Sequence, residues 1–164
     1  MVTDVRQASR DEWLADYTGI PRKEIKMNIT DQLKRPFPVN QLKWRKGPGG
    51  KELVYIDARQ FQHRLDDVFG MDWQCRFTHV TDGGVVCEVG LFVDGEWRWR
   101  ANGAGKTGIE GDKGQFSDAF KRACVMWGIG KYLYELKDKN NIPKWATPEG
   151  FDEIINNREE SNSE

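Results

Sequence analysis

"TDGGVVCEVGLFVDGEWRWRAN", residues 81–102, carries two turn signals and the strands that they join. Asp82-Gly83-Gly84 and Asp94-Gly95 each offer the small polar residue and glycine that a tight hairpin turn needs, because its central positions require positive φ. The flanking segments read as strands at roughly 72–80, 84–93 and 96–102, a three-stranded antiparallel meander. In the last of them Trp97 and Trp99 alternate with Arg98 and Arg100, so one face is aromatic and the other cationic. The two tryptophans read as core or subunit interface rather than as platforms for stacked bases.

Working outward, Asp57 is placed to cap a helix in which Ala58, Phe61, Leu65 and Val68 recur at helical spacing, and Gly70 ends it. Upstream, "VNQLKWRK", "GPGG" and "KELVYI" (39–56) read as a β-hairpin. Before that, "TDQLKRPFP" is a short helical turn stopped by Pro36 and Pro38. Downstream, a helix over about 114–127 sets Phe116, Phe120, Ala123 and Trp127 on one stripe, with Asp118, Lys121, Arg122 and Val125 on the other, and "GIG" breaks it. The order hairpin, helix, meander, helix defines an α+β fold with helices packed on an antiparallel sheet. Residues 1–28 are expected to be a flexible lead-in with a short helix at Asp11–Tyr17. Residues 29–142 form the functional domain, and 143–164 an acidic, mobile tail.

At 164 residues and 38% hydrophobic content the chain has room for one core. It has no run of 18 apolar residues and no signal-like segment, and its three cysteines lack metal-ligand spacing. His63 and His79 are the only histidines, which argues against a histidine-based metal site or triad. These features place it in a reducing, cytoplasmic compartment, without a membrane and without a cofactor. The net charge of −1 conceals an asymmetry. Residues 22–51 carry nine basic side chains against Glu24 and Asp31, a net of +7, whereas residues 148–164 carry six acidic ones against Arg158, a net of −5. A basic segment balanced by an acidic tail suits a polyanion ligand, although an ordinary solvated surface would look the same.

Two motifs invite an enzymatic reading, and neither sustains it. "NGAGKTG" (102–108) resembles the end of a phosphate-binding loop, but counting back from Gly105 to the required first glycine lands on Arg100. The loop also follows an alternating strand and precedes another loop rather than a helix. Asp66 and Asp67 are adjacent on a helix, where neighbours diverge by about 100°, so they do not converge on one ligand.

Two longer segments, "YIDARQFQHRLDDVFGMDW" (55–73) and "GDKGQFSDAFKRACVMWGIGKYLY" (111–134), resemble the Rad-fifty-two family of single-strand annealing proteins, including its phage and DdrA-like bacterial members. The likeness covers roughly residues 30–136. It implies a β-β-β-α core, assembly into rings or filaments, and ATP-independent binding of single-stranded DNA with annealing of complementary strands. It also implies a DNA groove. Arg45, ten residues before Tyr55, matches the family's hairpin arginine; Tyr55 matches its tyrosine, and Lys121 and Arg122 match the Lys-Arg pair of the last core helix. Eukaryotic relatives carry a third basic residue one turn on, where this chain has Val125, and Lys43 and Lys46 are the candidates to compensate. Lys106 and Lys113 are assigned to DNA or to subunit packing. Plain structural roles stand beside these. Asp118 can pair with Lys121 or Arg122 along the helix, and Tyr55 can be a core residue. The implied function is annealing in homologous recombination and DNA repair, in a bacterial or phage-infected cell, by a homo-oligomer whose candidate partners include a single-stranded DNA-binding protein or an exonuclease. The rivals are an end-protection protein that binds without annealing efficiently, and an ATPase or metal-dependent nuclease. The chain is expected to lack the long C-terminal region with which eukaryotic relatives bind recombinase.

Overall fold

The side chain of Asn28 accepts a hydrogen bond from the Asp31 amide at 2.8 Å and so starts helix α1 (Ile29–Lys34), which the Pro36 ring then prevents from continuing. The computed structural model describes residues 27–105 and 111–163. The helix expected at Asp11–Tyr17, the lead-in before residue 27, Lys106 and the side chain of Lys113 lie outside that description.

Strands β1 (Lys43–Lys46) and β2 (Glu52–Tyr55) form the expected antiparallel hairpin, with Lys43 opposite Tyr55 and Arg45 opposite Leu53. Helix α2 (Ala58–Phe69) follows and stops at Gly70. Asp57 occupies the N-cap position of α2, but its carboxylate does not cap the helix. It accepts instead from the Lys43 ammonium at 2.7 Å, a charged donor that outcompetes a backbone amide. Strands β3 (Trp73–His79), β4 (Val85–Val93) and β5 (Glu96–Ala104) form the meander in the order β3-β4-β5. Asp94 and Gly95 have φ of 53° and 82°, the double positive φ of a two-residue hairpin turn.

Helix α3 (Gly111–Met126) packs across β4 and β5, and α2 packs against α3. Ala119, Phe120, Ala123 and Cys124 of α3 meet Val85, Cys87, Val89 and Leu91 of β4 in a core that also takes Leu65, Ile56 and Ile129. Each Val, Leu, Ile or Phe among them contributes about 1.5–3 kcal/mol by leaving water. Gln115 is the buried polar member of this helix face, and its amide donates to the carbonyls of Gly83 and Ala104. Among the described residues no helix packs on the far face of the sheet. There Trp97 is 41% exposed and lies 6.1 Å from Trp99, over which the Arg76 guanidinium stacks at 3.8 Å. The tryptophans therefore lie outside the core, while Arg98 and Arg100 take the face that α3 shares.

The acidic segment expected to be a mobile tail is a helix, α4 (Pro148–Asn162). Thr147 caps it by accepting from the Gly150 amide at 3.1 Å, and Pro148 fills the first turn, where no amide donor is needed. Two ion pairs dock it beside α1. Arg35 donates from Nε and Nη2 to the two carboxylate oxygens of Asp152, both at 2.8 Å, and Arg158 donates to the buried Asp31 at 2.6 Å. Net charge over the segment did not reveal these individual partners. Among the described residues no helix is long and apolar enough to cross a membrane.

Candidate nucleic-acid interface

The hairpin, α3 and the 3-10 turn Lys131–Glu135 enclose a hollow of about 370 Å³. β1 supplies Arg45, β2 supplies Leu53 and Tyr55, and three successive turns of α3 supply Asp118, then Lys121 and Arg122, then Val125. Beyond α3, Gly130, Leu133 and Tyr134 complete the wall. Strand alternation sends Arg45 to this face, and helical spacing puts Lys121, Arg122 and Val125 together.

Tyr55 is the meeting point. The Arg45 guanidinium carbon lies 5.7 Å from its ring centroid and the Lys121 Nζ 5.9 Å, within cation–π range. Lys121 also reaches the Ile56 carbonyl at 3.4 Å, which aims it at the end of β2. Arg122 donates to Asp118 at 3.0 Å, and that carboxylate raises the pKa of its guanidinium. The pair is half-exposed and spaced i,i+4, so it is worth only about 0.3–0.5 kcal/mol and gives way readily to a stronger anion. Tyr55 is half-buried and lines the hollow rather than joining the apolar core.

Four of the sequence-derived residues, Arg45, Tyr55, Lys121 and Arg122, thus come together from three elements. Lys43 and Lys46 do not line the hollow. Lys43 is paired with Asp57, whose carboxyl it holds below the ordinary carboxylate range, and Lys46 lies on the opposite face of β1 from Arg45. Tyr134 was not singled out from the sequence, although it ends the "GIGKYLY" run. It is 70% exposed at the rim of the hollow. Gly130 is needed where the turn closes: its φ is +70°, and a Cβ there would meet the Phe61 ring at 2.8 Å. Among the described residues no three His, Cys, Asp or Glu side chains gather as a metal site.

These features define an α+β protein with a β-β-β-α core and a cationic, tyrosine-floored hollow between its hairpin and its last core helix. The chain belongs to the Rad52/22 family of double-strand break repair proteins, whose model matches residues 26–151. Two relatives carry the description "Single-stranded DNA-binding protein DdrA". The one from Deinococcus radiodurans is 31% identical over 143 residues, covering 74% of this chain and 69% of that protein. The one from Deinococcus deserti is 30% identical over 143 residues, covering 74% of this chain and 71% of that protein. The family match extends through the first turn of α4, so the helix beside α1 begins inside the shared region.

Proposed function

We propose that this chain binds single-stranded DNA in the hollow between hairpin and α3 and anneals complementary strands in recombination and repair, without nucleotide and without bond chemistry. The observation that carries the reading is the convergence of Arg45 and Lys121 on the Tyr55 ring, with Arg122 lining the same hollow, from segments distant in sequence. Cations that hold phosphates leave the bases free to pair, which is what annealing requires of a protein. Residues 29–142 are the DNA-handling domain in this reading, and the active form is a homo-oligomer in the cytoplasm of a bacterial or phage-infected cell. A second reading is favoured by the description of both Deinococcus relatives, which names binding alone: the chain covers single-stranded ends and anneals poorly.

Binding to a fluorescent oligonucleotide across a salt series tests the site. Log affinity falls linearly with log salt, at about 0.7 per phosphate neutralised, and Arg45→Ala/Lys121→Ala flattens the slope by about 1.4. An unchanged slope in a variant that remains folded and assembled would remove the hollow from the binding site. Mixing complementary oligonucleotides then separates annealing from end protection.

A further inference from the structure

A second hollow, of about 480 Å³, lies on the other side of the turn that ends α3. Its cations come from three elements: Lys34 from α1, Arg98 and Arg100 from β5, and Lys131 from the 3-10 turn. Among the described residues no carboxylate lines it, although Glu96 pairs with Arg98 at 3.0 Å just outside. Arg100 is held in place, stacked 4.3 Å from the Trp127 ring centroid and donating to the Met126 carbonyl at 2.6 Å. Lys34 and Lys131 are exposed, and among the described residues neither is in an ion pair. The floor is apolar, formed by Leu33, Phe69, Leu91 and Val93.

We infer that this hollow continues the single-strand track, so that one strand leaves the first hollow, crosses Val125 and enters the second. The two hollows share Val125 as a wall residue, and Gly130 of the first is followed directly by Lys131 of the second. Val125 thus forms a short apolar ridge with cations on both sides. A cationic rim over an apolar floor suits phosphates above and sugar or base faces below. An acidic peptide would satisfy the rim equally well, but it would gain nothing from continuity with the first hollow. The inference rests on the first hollow being the DNA site, and the experiment separates the two claims.

The full chain is titrated with oligo-dT of two lengths, one short enough to fill the first hollow alone and one longer, across a salt series. In Lys34→Gln/Lys131→Gln the slope for the longer oligonucleotide becomes shallower by about 1.4, while the short one binds as to the wild type. Lys34→Arg/Lys131→Arg keeps the wild-type slope, which excludes a folding defect at these surface positions as the cause. If the glutamine variant matches the wild type on both lengths while Arg45→Ala/Lys121→Ala is impaired, the track ends at Val125 and this inference falls alone. If the glutamine variant changes only the oligomeric state, the hollow is a contact between copies, and the inference likewise falls. If the wild type binds neither oligonucleotide, both claims fall.

Discussion

Arg64 leaves α2 and donates from a single Nη1 to the carbonyls of Gln32, Leu33 and Arg35 at 3.2, 3.1 and 2.6 Å. These are the acceptors that the end of α1 leaves without helical partners. The guanidinium also stacks 4.5 Å from the Phe37 ring centroid. Burial, and then the neighbouring Arg35 charge, pull its pKa down to about 10, so it remains cationic at neutral pH. Nothing local marks this arginine, because "HRLDD" reads as a solvated helix face and its three acceptors lie about thirty residues upstream. The Arg64→Met variant is expected to lose roughly 2–3 kcal/mol, since apolar bulk replaces the stem but leaves carbonyls unmatched. A denaturant midpoint measures this, and an unchanged midpoint would mean that water serves those carbonyls equally well. The slope of DNA affinity against salt is expected to stay the same, because Arg64 lies outside both hollows.

At the level of elements, what was legible was what is local. Alternation and the Asp-Gly turns placed all three meander strands within two residues of their ends, and the Lys-Arg pair of α3 was placed with its helix. Side-chain choices made across the fold were not legible. Asp57 prefers Lys43 to its own helix, and Trp97 and Trp99 turn to the face of the sheet opposite α3. Helix α4 was missed for a different reason: Thr147, Pro148 and Glu149 form a proper helix start, but acidic composition outweighed it. The edge strand β3 gives an element-scale test. Cys75 is exposed on it, whereas Cys87 and Cys124 are fully buried. A hydrogen bond with the Cys87 thiol pulls Cys75 down to about 7 and pushes Cys87 up. Alkylation of the native protein is therefore expected to label Cys75 alone, read by mass spectrometry. Its rate should climb with pH and level off above about 7, because the thiolate is the reactive form. A plateau near the ordinary thiol value of about 8.5 would show that the hydrogen bond does not act on Cys75.

At the scale of the whole molecule, α1 divides its charged side chains between two neighbours. Lys34 faces the second hollow, while Arg35 and Asp31 face α4. A mobile polyanionic tail would compete with DNA for the cations, and removing it would tighten binding chiefly at low salt. A docked helix makes a different demand. Deleting everything after Thr147 strands the Asp31 carboxylate, whose side chain is only 10% exposed, without Arg158, and it removes Ile155 from its buried position. Those two losses together are worth roughly 3–5 kcal/mol, from an unmatched polar group and a lost aliphatic burial. The truncated protein is expected to melt well below the full chain, while its affinity for single-stranded DNA, measured below that melting range, keeps the same dependence on salt. Asp152→Asn, which weakens one docking pair without deleting the helix, is expected to lower the melting temperature by a smaller step in the same direction. If truncation instead leaves melting unchanged and strengthens binding only at low salt, α4 is a competitor for the DNA site rather than a part of the fold.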